Sequence, residues 1–230
     1  MLIDPVYFIF IAPALLLSLW ASFRTKNAFK KYSRVPTASG QSGAEAAARL
    51  LASAGLGDVK ILRARGMLTD HYNPANRTLN LSEGVYDSRS VAAVGIAAHE
   101  AGHAIQHAEH YKPLWIRSLL VPTASIGSNL GYMVMFIGLL MASQNLVLVG
   151  ALLFSAVLAF QVVTLPVEFD ASSRAKLMLT QHGIIAGPER QGVNRVLNAA
   201  ALTYVAAVVS SLMTLLYFLL RAGLLGGRDD

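Results

Sequence analysis

The chain has 230 residues, of which 54% are hydrophobic and only 14% are charged. Charged residues make up about 25% of an average soluble domain, so this composition argues against an ordinary soluble protein and favours insertion into a membrane. The sequence contains no cysteine, which excludes disulfides, thiolate zinc sites and cysteine nucleophiles. The formal net charge of +6 comes mainly from basic residues beside apolar segments, so we expect no nucleic-acid partner.

Four apolar segments are long enough to cross a hydrocarbon core, which needs about 20 helical residues. None of the four contains Asp, Glu, Lys or Arg, each of which would cost about 2.5–3.5 kcal/mol at a helix centre. The first segment could be a signal peptide, but Asp4 precedes it instead of positive charge, so an uncleaved membrane helix is predicted. The predicted transmembrane helices are residues 6–23, 119–141, 146–165 and 199–220.

The distribution of positive charge predicts the orientation of these helices. Four spans place residues 24–118 and 166–198 on one side of the membrane and both ends of the chain on the other. Of the 19 Lys and Arg residues, 17 lie in those two segments, and only Arg221 and Arg228 lie on the side of the ends. The positive-inside rule therefore predicts that both segments are cytoplasmic.

Residues 24–118 are predicted to form a small α+β domain. Ser42 and Glu45 have the spacing of a capping box at the start of a helix that ends at Gly55. Residues 59–64 and 77–81 alternate apolar and polar side chains around a breaker-rich stretch, which predicts two short strands joined by a turn. An Ala-rich run over residues 90–109 predicts a further helix.

That last helix carries the sequence His99-Glu100-Ala101-Gly102-His103, which fits the pattern H-E-x-x-H. Histidines at i and i+4 share one helix face and can bind one zinc ion, while the intervening Glu can take a proton from zinc-bound water. Hydrogen-bonded core histidines with a solvated Glu100 are the alternative. We predict that His99 and His103 bind a single Zn²⁺ ion and that Glu100 is the general base.

A catalytic zinc site needs a third protein ligand. His107 is excluded because it lies about 12 Å along the helix from His99, at 1.5 Å per residue. Glu168 is the better candidate, since the two spans between it and His103 return the chain to the same side of the membrane. The alternative is an interfacial carboxylate that pairs with Arg174 or Lys176.

Several segments resemble the bacterial neutral zinc metallopeptidases typified by YugP, in the order in which that family has them. They are Asp70-His71-Tyr72-Asn73-Pro74, Leu79-Asn80-Leu81-Ser82, Val85-Tyr86, the stretch from Ala97 to Gln106, and Leu165-Pro166-Val167-Glu168-Phe169. The resemblance implies a zinc-dependent membrane peptidase, distantly similar to HtpX-type proteases, and suggests a role in membrane-protein quality control.

The resemblance also implies that His99, His103 and Glu168 are the metal ligands. The expected fold is mainly α, with four transmembrane helices and a cytoplasmic zincin-like α+β catalytic domain that contains a small sheet. HtpX-type enzymes have an Asp four residues after the ligand Glu. Here that position is Ser172, and Asp170 stands two residues after Glu168, so the carboxylate that would orient a ligand histidine is in doubt.

An oxyanion donor is also expected. Arg174 is our candidate catalytic residue for this role because it follows Glu168 on what should be the same helix. The sequence does not exclude the other donors, which are His71, Tyr72, Tyr86 and His182.

Two further features allow more than one interpretation. The strand at Leu79–Ser82 either receives an extended substrate by β-strand addition or is internal. Gly127 and Gly131 form a G-x-x-x-G pair, which serves packing among the four helices, dimerisation or a polar substrate groove.

The expected partners are the lipid bilayer and protein or peptide substrates, and a membrane adaptor or a homo-oligomer stays open. The expected location is the bacterial inner membrane, with the active site facing the cytoplasm. Two other functions are considered. A non-catalytic zinc-binding scaffold would usually have four ligands, and a metal transporter would carry ionisable residues inside its spans. We therefore expect a zinc-dependent metallopeptidase.

Overall fold

The computed structural model describes residues 4–225. The described chain is mainly helical, with a small three-stranded sheet. In chain order the elements are α1 (Pro5–Tyr32), α2 (Gly43–Ser53), β1 (Lys60–Ala64), β2 (His71–Asn73), β3 (Thr78–Ser82), α3 (Glu83–Tyr86), α4 (Val91–Ala108), α5 (Lys112–Ile126), a π-helical turn (Gly127–Gly131), α6 (Tyr132–Leu140), α7 (Gln144–Gln181) and α8 (Glu189–Arg221).

Four helical stretches are long and apolar enough to cross a membrane: α1, α5 through α6, α7 and α8. This confirms the prediction of four candidate spans. Each helical stretch is longer than the predicted apolar segment, because a helix does not have to end where charged residues begin. Helix α7 is the clearest case, since its 38 residues continue through Pro166 and include Glu168.

The chain divides into two compact units. Among the described residues, the first contains 4–21, Trp115–Leu165 and 203–225. Within it, a Cβ atom added to Gly127 would lie 2.4 Å from the carbonyl oxygen of Leu153, and one added to Gly131 would lie 2.7 Å from the nitrogen of Phe154. The glycine pair therefore lets two helices of the same chain approach closely, which is the first of its three interpretations.

The second unit contains Ser22–Leu114 and Pro166–Leu202. Helix α2 begins with the predicted capping box, in which the nitrogen of Glu45 donates to Ser42 Oγ at 3.2 Å and the nitrogen of Ser42 donates to Glu45 Oε2 at 2.7 Å. The prediction of this helix start is confirmed. Two backbone N–H groups at the start of the helix, which have no partner within the helix, are thereby satisfied.

The sheet has the strand order β1-β3-β2, with β1 parallel and β2 antiparallel to β3. Two predicted strands exist, but the prediction that a simple turn joins them is wrong. Strand β2 overlaps the breaker-rich stretch, residues 72–76, and its start is tied to the end of β3 because Asp70 accepts hydrogen bonds from the nitrogen and hydroxyl of Ser82. Strand β3 is internal, which is the second of its two interpretations, so its backbone is not free to receive an added substrate strand.

Helix α4 lies in the core of the second unit. Almost every residue from Val91 to Gln106 is buried, which an Ala-rich surface with Glu100 as its one acidic side chain permits on nearly all sides. The residues that pack with α4 in this core come from α2, β3, α7 and α8, and they include Leu50, Leu51, Leu79, Leu81, Leu179, Val193 and Leu197. The motif histidines are therefore carried on a helix that the fold holds on several sides.

Candidate metal centre

Two histidines on one face of α4 form the first half of the site. The His99 and His103 ring centroids are 4.7 Å apart and the rings are nearly perpendicular, at 81°. One helical turn separates the two residues, so their side chains point the same way. His103 is only 8% exposed, which shields the pair of rings from bulk water.

Helix α7 supplies the third group. Glu168 Oε2 lies 3.2 Å from His99 Nε2 and 3.7 Å from His103 Nε2, and Glu168 is 3% exposed. Ligand atoms of these three residues all lie within 4.8 Å of one another. Two imidazole nitrogens and one carboxylate oxygen are donors that zinc accepts, and three protein ligands are typical of catalytic rather than structural sites. The three residues therefore fit a metal ion.

Close contact between α4 and α7 brings these groups together. A Cβ atom added to Gly102 would lie 2.8 Å from the carbonyl oxygen of Ala171 and 3.3 Å from its Cα. Gly102 stands between the two histidines, and Ala171 stands one turn after Glu168. The absence of a side chain at Gly102 thus sets the spacing between the two halves of the site.

The other ring nitrogens of both histidines also have partners. His99 Nδ1 lies 3.1 Å from Ser172 Oγ, and His103 Nδ1 lies 3.0 Å from Gln106 Oε1. Metal-binding histidines commonly make such a bond with the nitrogen that does not face the metal. Ser172 therefore takes the place of the carboxylate that was in doubt, whereas Asp170 contacts Gln106 and Arg174. Sequence reasoning missed Gln106, although it stands three residues after His103.

Charge and burial act in opposite directions on His103. Burial lowers its pKa, but the negative charges of the nearby Glu168 and Glu100 carboxylates raise it, and the net pKa lies above the ordinary value. This is the behaviour expected of an imidazole held among carboxylates. A cation would therefore be electrostatically favoured at this position.

Glu100 is 8% exposed, and its Oε2 accepts a hydrogen bond from the backbone nitrogen of Tyr72 at 3.1 Å. Since Tyr72 is the middle residue of β2, the small sheet holds the carboxylate in place. This contact could not be found from the sequence, because β2 is only three residues long and lies in a stretch that predicts a turn.

The described contacts of Arg174 are with two carboxylates and a ring. Its Nε atom lies 2.6 Å from Asp170 Oδ2, one terminal nitrogen lies 2.6 Å from Glu109 Oε2, and its guanidinium is 5.9 Å from the Tyr111 ring centroid. Arg174 thus pairs with Asp170 and Glu109, and the other proposed partner of Glu168, Lys176, donates to Asn198.

Three of the four other candidate donors have described side-chain contacts, and for His182 the described contact is its backbone nitrogen, which donates to the carbonyl of Met178 at 2.9 Å. His71 Nδ1 contacts the carbonyl of Thr69 at 2.8 Å, and Tyr86 lies under the guanidinium of Arg63 at 4.3 Å. The hydroxyl of Tyr72 lies 2.9 Å from His107 Nδ1. His107 is not part of the three-residue metal group found among residues 4–225.

Fold and site together define a class: a mainly helical protein with four candidate membrane-spanning helices and a His-His-Glu group that could bind a metal ion. The family described as "Putative neutral zinc metallopeptidase" matches residues 7–223, and the chain belongs to that family. The chain is also 49% identical over 224 residues to "Putative membrane protease YugP" of Bacillus subtilis (strain 168), with 97% of this chain and 99% of the relative covered. No solved structure matches. The resemblance seen in the sequence is confirmed.

Proposed function

We propose that this protein is a zinc-dependent metalloendopeptidase that hydrolyses peptide bonds at the cytoplasmic face of the bacterial inner membrane. The observation that carries the proposal is the convergence of His99, His103 and Glu168 beside Glu100. Membership of a zinc metallopeptidase family supports it. In this proposal the three converging residues hold one Zn²⁺ ion, and residues 24–118 with 166–198 form a zincin-like catalytic region.

When bound, zinc would polarise the scissile carbonyl and lower the pKa of a water molecule. Glu100 would take the proton of that water and later give a proton to the leaving amine. The hydrogen bond from the Tyr72 nitrogen would hold the Glu100 carboxylate in a fixed direction. Glu168 and the two histidines would keep their lone pairs directed at one point.

Arg174 is the proposed oxyanion donor. A guanidinium has five N–H donors in a fixed plane, and the described ion pairs use Nε and one terminal nitrogen. At least two N–H groups therefore stay available for a substrate oxygen, while Asp170 and Glu109 hold the plane in position. An Arg174→Ala protein that keeps its zinc but cleaves more slowly would support this role, and an unchanged cleavage rate would contradict it.

The membrane-face location rests on composition and charge. Of the 19 Lys and Arg residues, 17 lie in the two segments proposed to be cytoplasmic. Unfolded or membrane-derived polypeptides are the proposed substrates, and membrane-protein quality control is the proposed role. Accumulation of damaged membrane proteins in cells that lack the protein would support this role, and unchanged turnover of such proteins would argue against it.

The decisive experiment compares the wild-type protein with Glu100→Gln. The variant should keep one zinc ion per chain by elemental analysis, because Glu100 is not a proposed ligand, yet it should lose cleavage of a casein-like or unfolded membrane-protein substrate. A His103→Ala protein serves as the metal-free control. A non-catalytic zinc-binding scaffold is the alternative function, and equal cleavage by the wild-type and Glu100→Gln proteins would leave no support for peptidase chemistry at this site.

A further inference from the structure

Gln106 lies in the last turns of α4 and is 0% exposed. Both ends of its side-chain amide have partners. Oε1 lies 3.0 Å from His103 Nδ1, while Nε2 lies 2.8 Å from the carbonyl oxygen of Val167 and 2.7 Å from Asp170 Oδ2. Both polar atoms of this buried amide are hydrogen-bonded. The arrangement is well defined, because the loss of any of these hydrogen bonds would leave a buried polar group without a partner.

The partners of Gln106 determine which way its amide faces. The Val167 carbonyl can only accept a hydrogen bond, and Asp170 Oδ2 also accepts from Arg174 Nε at 2.6 Å. Both partners therefore require the NH₂ group of Gln106, which has two hydrogens to donate. The amide oxygen must then face His103, and since an amide oxygen only accepts, His103 Nδ1 must be the nitrogen that carries a hydrogen.

A hydrogen on Nδ1 also determines the state of Nε2, on the opposite side of the His103 ring. In a neutral imidazole one nitrogen carries the hydrogen and the other has a free lone pair. If Nδ1 carries the hydrogen, the free lone pair is on Nε2, the atom that lies 3.7 Å from Glu168 Oε2 in the candidate metal site. His99 differs, because its Nδ1 contacts a hydroxyl, Ser172 Oγ, and a hydroxyl can either donate or accept.

We propose that Gln106 is a positioning residue that keeps neutral His103 in its Nδ1–H tautomer before any metal arrives, so that Nε2 is already available as a ligand atom. The inference rests on the proposed zinc centre and extends it. Arg174 and Asp170 act one step further out, since their ion pair keeps Oδ2 placed to accept from Gln106. Helix α7 therefore helps to select the metal-binding tautomer of His103, through the contacts of Val167 and Asp170 with Gln106.

The first test reads the tautomer directly in the metal-free wild-type protein. With ¹⁵N-labelled histidine, NMR distinguishes a protonated from an unprotonated ring nitrogen, and the signals absent from a His103→Gln protein identify His103. The measurement is made at a pH where His103 is neutral. The expected result is a hydrogen on Nδ1, and a hydrogen on Nε2 would overturn the proposal. This test needs no Gln106 variant and no bound zinc.

The second test measures zinc affinity by competition with a chelator of known affinity. Gln106→Met keeps the approximate length of the side chain and removes the acceptor, and loss of such an outer partner typically weakens metal binding by about 10- to 100-fold. Gln41→Met is the matched control, since Gln41 Oε1 is buried without a hydrogen-bond partner among residues 4–225. The control should bind zinc as the wild type does.

The two tests separate the failure of this inference from that of the proposed function. If the wild-type protein binds no zinc, the proposed function fails, and the tautomer measurement still decides the role of Gln106. If the wild type binds zinc and Gln106→Met binds it equally well, the positioning role is wrong and the proposed function is untouched. If Gln106→Met does not fold, the wild-type tautomer decides alone.

Discussion

Replacing Gly102 by Ala should weaken metal binding without unfolding the protein. The added Cβ atom would lie 2.8 Å from the carbonyl oxygen of Ala171, whereas carbon and carbonyl oxygen atoms in close helix contacts are separated by about 3.3–3.6 Å. Helices α4 and α7 must therefore move apart by about 0.5–0.8 Å. Ligand distances at a metal tolerate about 0.2 Å, so the separation between the histidines and Glu168 would exceed what one ion accepts.

The size of the effect follows from the cost of overpacking, which is about 1–3 kcal/mol. If this cost falls on metal binding, the zinc dissociation constant rises by about 5- to 150-fold, at 1.4 kcal/mol per factor of ten. Gly95→Ala is the matched control on the same helix, because its Cβ would meet Val193 Cγ1 at 3.4 Å, an ordinary contact. Chelator competition measures both proteins. Equal zinc affinity in Gly102→Ala and wild type would refute the claim that this contact sets the site.

Three further predictions concern the same chain. Ser172→Ala should weaken zinc binding by about tenfold, the low end of the range for outer partners, and chelator competition that finds no change would exclude a role for the hydroxyl. Zinc affinity should fall as the pH is lowered through the pKa of His103, which lies above its ordinary value, because zinc binds the neutral imidazole and displaces its proton. Calorimetry in buffers of different ionisation enthalpy should detect this proton release on zinc binding. Zinc binding without proton release would contradict the assignment of His103 as a ligand. Because the chain has no cysteine, a single introduced cysteine can report on which side of the membrane it lies. In intact cells a membrane-impermeant maleimide should label Ala142→Cys and leave Ser39→Cys unlabelled. The reverse pattern would place the proposed catalytic segments on the outer side of the membrane.

Features with a local cause could be predicted from the sequence. The capping box at Ser42 and Glu45 requires only residues three positions apart, and the four candidate spans require only runs of apolar side chains. The proximity of His99 and His103 follows from helix geometry alone. Glu168 lies 65 residues after His103 in the sequence, and the even number of predicted spans between them indicates that both lie on the same side of the membrane.

Features that depend on contacts between distant segments could not be predicted. Strand β2 has three residues and exists because β3 supplies its hydrogen-bond partners and Asp70 ties its start to Ser82. The parallel pairing of β1 with β3 has no signature in alternating side chains. The contact between the Tyr72 nitrogen and Glu100 depends on β2. The orientation of the proposed base by the sheet therefore could not be predicted from patterns in the sequence.

The chemistry proposed here depends on how two helices pack as much as on the H-E-x-x-H pattern. The pattern explains two of the proposed ligand atoms, but an isolated helix with the same sequence would leave Nδ1 of His103 free to face water and would lack Glu168. Helix α7 supplies Glu168, the partner Ser172 for His99, and the carbonyl and carboxylate that turn Gln106 toward His103. All of these contacts require α4 and α7 to approach as closely as Gly102 allows, so a change at this glycine, which touches no ligand atom, should affect the metal site as a whole.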